Sequence, residues 1–157
     1  MLMLSYYLLL KGEILYRLIV VPTDGSKTAK EAATHAVNLA LKFDGKIIAV
    51  HIIDSRCETT FEELGTTQSQ VFRLQQRKMG EGYVQEILDI ARKAGIQAQS
   101  IVRVGIPTDE IVKVAEENNA DLIVMGTRGL TGTKRALLGS TADQVIRWAP
   151  CPVLVVK

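Results

Sequence analysis

Asp121-Leu122-Ile123-Val124-Met125-Gly126-Thr127-Arg128-Gly129, followed after nine further residues by Gly139-Ser140-Thr141, decides how this chain is read. Asp121 to Met125 read as a strand, and Leu122 to Met125 are apolar without a polar break, which suits burial on both faces. The run stops at Gly126, and a helical pattern, Ala142-Asp143-Gln144-Val145-Ile146-Arg147, opens just after Gly139-Ser140-Thr141. A strand ending in glycines, a loop, and a helix opening on hydroxyls together suit a phosphate. Glycine lets backbone N–H groups approach an anion closely. A helix N-terminus adds unpaired donors at the positive end of its dipole. The plainer reading is that Gly126 ends a strand and Ser140 caps a helix.

Four more apolar runs, at residues 16–21, 46–53, 98–104 and 153–156, read as strands. The run at 98–104 alternates in part, which predicts a wetter face or an edge position. Helical patterns separate them. Ser26 precedes one whose Ala29, Ala32, Ala33, Ala36, Val37 and Ala40 share a face, small enough for the helix to sit close to a sheet. A long one runs from about 68 to 94, with Val84, Ile87, Leu88 and Ala91 as its apolar stripe and Gly95 as its stop. Pro107 opens a third, carrying Ile111, Val114 and Ala115. The fourth opens at Ser140 and ends before Pro150. Strands alternating with helices predict an α/β fold, a doubly wound five-stranded parallel sheet with helices on both faces. The stretch 54–67 is the one long irregular segment and reads as an exposed loop.

The bulk numbers narrow the function classes. At 157 residues the chain fits one domain with a sizeable core. A net charge of +2, from 19 basic and 17 acidic residues, argues against a nucleic-acid surface. Cys57 and Cys151 form no CxxC or Cys/His cluster, so a structural zinc site is not expected; two buried or idle thiols in a reducing cytosol are favoured over one disulfide. Residues 1–13 read as an N-terminal extension and 14–157 as the domain. The apolar run Met1 to Leu10 is too short to span a bilayer and lacks the charged start of a signal peptide. It reads as a segment packing on the domain or a neighbouring subunit, or as an over-long start; a peripheral membrane contact is the lesser alternative.

In open α/β sheets, ligands bind beyond the carboxyl ends of the strands at the switch point of strand order. With a 3-2-1-4-5 order, which periodicity cannot reveal, Pro22-Thr23-Asp24-Gly25-Ser26 and the glycine loop face each other there. Asp24 then stands for a ribose or base hydrogen bond, for a metal bridged by phosphates, or simply for a turn residue beside Gly25. The pattern is neither GxxxxGK[ST] nor GxGxxG. Lys134 and Arg135 within the loop suit either phosphate or solvent. His35 and His51 have no spaced partners and read as structural. With no placed base beside the phosphate cradle, binding is favoured over turnover.

These residues resemble the universal stress protein family. Gly126-x2-Gly129-x9-Gly139-Ser140 is similar to its ATP-binding signature. The likeness extends through Val21-Pro22-Thr23-Asp24-Gly25-Ser26, Val50-His51-Ile52-Ile53-Asp54, Val104-Gly105-Ile106-Pro107 and Ala149-Pro150-Cys151-Pro152-Val153-Leu154-Val155-Val156. It implies the flavodoxin-like strand order 3-2-1-4-5 and the ATP-binding branch. It implies that Pro22, Thr23 and Asp24 line the nucleoside end and that Ile52 offers backbone groups to adenine. Met125, Gly126 and Gly129, with Thr127, Arg128 and Gly132 of the same loop, would border ribose and phosphates. Gly139, Ser140 and Thr141 would hold the phosphates, with Mg²⁺ or Mn²⁺ on the phosphate oxygens. It further implies a cytoplasmic homodimer joined through the last strand, acting as a nucleotide-dependent regulator on an unknown protein partner. A slow ATPase and a nucleotide-free interaction module are the alternatives. The extension and Thr141, where an apolar residue is frequent, depart from the family pattern.

Overall fold

The computed structural model describes residues 16–57, 66–127 and 138–157. Five strands and four helices alternate along them: β1 (Leu18–Pro22), α1 (Lys27–Phe43), β2 (Lys46–Asp54), α2 (Thr66–Lys93), β3 (Ala98–Gly105), α3 (Pro107–Glu117), β4 (Leu122–Gly126), α4 (Ser140–Trp148) and β5 (Val153–Val156). All pairings are parallel and the order is β3-β2-β1-β4-β5. This is the doubly wound, flavodoxin-like α/β sheet expected from the sequence, with the switch point between β1 and β4.

Alternation along the central strands sends side chains into two cores. Ile19, Val21, Ile47, Ala49, Leu122 and Val124 pack under α1 and α2. Val20, Ile48, Val50, Ile123 and Met125 pack under α3 and α4. Each fully buried Ile or Val contributes about 1.5–3 kcal/mol relative to exposure, so the strands' apolar runs dominate the stability. The small-residue face of α1 lets it lie close to the sheet: Ala32, Ala33, Ala36 and Ala40 are all fully buried. Strand β3 is the edge its partial alternation predicts, with no fully buried residue.

The helix ends follow their local chemistry. Ser26 Oγ accepts the Ala29 N–H at 3.2 Å and caps α1. Gly95 turns left-handed at φ 74° behind α2, and the Ile96 N–H returns to the Ala91 carbonyl at 2.9 Å. Two sequence expectations need correction. Ser140 does not cap α4; it is the first helical residue, and Gly139 occupies the cap position with extended backbone. Asp121 stands before β4 rather than within it. Its carboxylate accepts the N–H groups of Arg17 at 3.0 Å and Leu18 at 2.9 Å, which explains why β1 starts only at Leu18.

Candidate functional site

The loop from β1 to α1 is tightly determined. The Thr23 N–H donates to the Val50 carbonyl at 2.8 Å, continuing the β1–β2 ladder by one bond. Asp24 Oδ1 accepts the Ser26 N–H at 3.0 Å, and Thr23 Oγ1 accepts the Gly25 N–H at 3.1 Å. These short side-chain bonds bend the chain sharply into α1. Gly25 sits at φ 80°, a left-handed conformation that other residues rarely adopt.

Beside this loop, β4 ends at Gly126. A Cβ there would meet the backbone and side chain of Thr28 in the first turn of α1, so the missing side chain lets the end of β4 close on the start of α1. Thr127 then turns back. Its N–H donates to the Val156 carbonyl at 2.8 Å and its carbonyl accepts the Gly139 N–H at 2.7 Å, which sets the start of α4 beside the end of β4. The Thr127 hydroxyl is buried and has no hydrogen-bond partner among the described residues. Helix α4 has no side-chain cap, since Gly139 offers none, so its first-turn N–H groups keep their donor capacity. An orphaned buried hydroxyl next to uncapped helix donors fits an anionic, oxygen-rich group such as a phosphate.

The third wall is β2. The Lys46 N–H donates to the Arg17 carbonyl and the Val50 carbonyl accepts from Thr23, whereas the Ile47 N–H donates to Gln97 and the Ser55 N–H to Gly105. Even-numbered residues of β2 therefore turn their backbone groups toward β1 and odd-numbered ones toward β3. The β1 register stops at the pair Pro22–Val50. Ile52 thus presents its N–H and carbonyl on the side where β1 has ended, while its side chain is buried in the core under α3 and α4. Asp54 closes β2, and its hydrogen bond from Arg56 holds its carboxyl below the usual carboxylate range.

A model of the universal stress protein family matches residues 15–157. The chain belongs to this family. It is 41% identical to a universal stress protein of Methanocaldococcus jannaschii, over 100% of this chain and 94% of the relative. Among solved structures it is similar to the hypothetical protein MJ0577, with a TM-score of 0.81 and 34% identity over 92% of this chain and 97% of that one. It is also similar to a universal stress protein in complex with cAMP, with a TM-score of 0.63 and 29% identity over 90% and 97% of the two chains.

In this universal stress protein the candidate residues Pro22, Thr23, Asp24, Ile52, Met125, Gly126, Thr127, Gly139, Ser140 and Thr141 lie at the carboxyl ends of β1, β2 and β4 or at the start of α4. Arg128, Gly129 and Gly132, with Lys134 and Arg135, lie outside the described residues, as does the N-terminal extension. Among the described residues no group of three His, Cys, Asp or Glu side chains is placed to hold a metal ion, and no helix is long and apolar enough to cross a membrane. His35 is exposed on α1. His51 is different. It is buried, and its Nδ1 lies 2.8 Å from the Thr23 carbonyl, so it joins β2 to the loop that carries Asp24. Sequence reading gave His51 only a structural role. The available signal was Gly80, which sits inside a helix at a cost of about 1 kcal/mol relative to Ala and so marks a close approach.

Proposed function

We propose that the switch-point crevice of this universal stress protein binds ATP and that nucleotide occupancy regulates a protein partner. In this reading Pro22, Thr23 and Asp24 line the nucleoside end, and the backbone of Ile52 meets adenine. Met125, Gly126 and Thr127, continuing to Arg128, Gly129 and Gly132, border ribose and phosphates. Gly139, Ser140 and Thr141 hold the phosphates, whose oxygens carry Mg²⁺ or Mn²⁺. The observation that carries the reading is the pairing of a buried Thr127 hydroxyl, unpartnered among the described residues, with the uncapped start of α4, at a strand end where Gly126 packs against the first turn of α1. A similar protein captured with cAMP supports an adenine nucleotide as the ligand class.

Binding is favoured over turnover because Asp24 Oδ1 is committed to the Ser26 N–H and has a turn-forming use of its own. The protein is proposed to act in the cytoplasm as a homodimer through the outer edge of β5, since β5 pairs only with β4 among the described strands. Isothermal titration calorimetry with Mg-ATP tests the reading, beside the variant Gly139→Asp. A carboxylate at the cap position would satisfy the α4 donors and repel phosphate. The variant should fold at least as stably as the parent yet lose ATP binding. Absence of ATP binding by the parent, or unchanged affinity in the variant, would refute the site.

A further inference from the structure

We infer that His51 and Tyr83 are positioning residues for the nucleoside end of the site, and that they couple helix α2 to the loop Thr23–Gly25; this rests on the ATP reading above. Four residues from three elements interlock. Gly25, at φ 80°, lies directly under the Tyr83 ring, which occupies the space a Cβ would need. Tyr83 meets His51 edge to face, with centroids 5.3 Å apart and planes at 70°. The His51 ring in turn fills the space that a Cβ on Gly80 would need, one turn earlier on α2. Gly82, on the same helix, has nothing within 4 Å of such a Cβ, so the notch belongs to Gly80 alone of the two.

The hydrogen bond gives this packing a consequence at the site. A carbonyl accepts, so His51 Nδ1 carries the proton and donates it to Thr23 at 2.8 Å. On a continuing parallel ladder, the Thr23 carbonyl would be the acceptor for the Ile52 N–H. The imidazole engages that carbonyl and ends the β1–β2 ladder at Thr23. The Ile52 amide is thereby left facing the crevice, with Thr23 held by the His51 ring and Gly25 packed against the Tyr83 ring on either side of Asp24. A loop fixed before binding loses less freedom on binding.

The phosphate end rests on other residues, Gly126, Thr127 and the start of α4, and that division supplies the test. Calorimetry on the full chain would compare Mg-ATP with inorganic tripolyphosphate for the parent, His51→Leu, His51→Asn, Tyr83→Ala and Tyr83→Phe. Amide hydrogen exchange at Gly25 and Ser26 would be followed without nucleotide. His51→Leu and Tyr83→Ala should weaken ATP by roughly tenfold, or about 1.4 kcal/mol, with little change for tripolyphosphate. They should also speed exchange at Gly25 and Ser26 while the core strands stay protected. His51→Asn, whose amide can reach where Nδ1 stood, and Tyr83→Phe, which keeps the ring, should restore both readouts. Unchanged exchange and ATP affinity in His51→Leu would overturn the inference, as would equal losses for ATP and tripolyphosphate. A parent that binds no ATP but still shows the exchange effect would instead overturn the nucleotide reading and leave the loop anchor standing.

Discussion

Gly126 lies against Thr28 so closely that a Cβ on the glycine would stand 2.7 Å from Thr28 Oγ1 and 2.9 Å from the Thr28 carbonyl carbon. The end of β4 and the first turn of α1 thus meet with only Thr28's own atoms against the glycine. Gly126→Ala must push the two apart, and overpacking of this kind costs about 1–3 kcal/mol. Urea denaturation should show that loss, and calorimetry should show weakened ATP binding. Adding Thr28→Ala removes the Oγ1 contact but leaves the backbone and Cβ, so the double variant should regain less than half of the lost stability. Full recovery would show that the hydroxyl alone sets the limit.

Thr127→Val should move stability and binding in opposite directions. The Thr127 hydroxyl is buried without a partner among the described residues, an arrangement that costs about 1–3 kcal/mol. Valine keeps the shape and removes the polar atom, so thermal unfolding without nucleotide should shift upward. If the hydroxyl serves a bound nucleotide, ATP affinity should fall by roughly tenfold in the same variant. A variant that is less stable with unchanged affinity would contradict the assignment.

Cys151 gives the protein an alkaline sensitivity. Burial pushes its thiol pKa up, and the nearby Asp121 carboxylate pushes it in the same direction. A group whose pKa is raised on folding contributes stability that is fully present below its unfolded value, about 8.5 for a thiol, and lost as pH rises through the folded value. Stability should therefore decline on that alkaline limb, and Cys151→Ala should flatten the decline. Iodoacetamide at pH 8 should label exposed Cys57 first and Cys151 slowly. Equal labelling rates would contradict the burial argument.

The outer edge of β5 can be blocked without disturbing its inner ladder. The carbonyls of Pro152 and Val156 accept from Ile123 and Thr127, so Leu154 also faces β4 and the backbone groups of Val153 and Val155 face outward. Val155→Pro removes one outward N–H, as edge strands tolerate. With the proposed dimer, light scattering should show the parent as a dimer and the variant as a folded monomer. A variant that remains dimeric would place the interface elsewhere.

The strands, helices and layer order were legible because their signals are local. Leu122 to Met125 could only be a buried strand, and the alanine face after Ser26 could only pack on a sheet. The two corrections, of Ser140 as a cap and of Asp121 as a strand residue, share a cause, although α4 does open at Ser140 as expected. Each hydroxyl or carboxylate had a plausible local partner in sequence, and tertiary geometry chose another arrangement. The Asp121 carboxylate reaches across more than a hundred residues to Arg17 and Leu18.

By itself the sequence determined an alternating α/β chain, a phosphate-suited strand–loop–helix around Gly126 and Gly139, and a second loop carrying Asp24. It did so because hydrophobic period, glycine freedom and helix-end chemistry act over a few residues. The order β3-β2-β1-β4-β5 came from the family resemblance and not from any local pattern; the tertiary structure alone decided that Gly126 closes on Thr28 and that Thr127 keeps a buried hydroxyl without a partner among the described residues. It alone placed His51 between Thr23 and Tyr83. Those relationships join residues dozens of positions apart, and their energies come from contact and burial that no local pattern encodes.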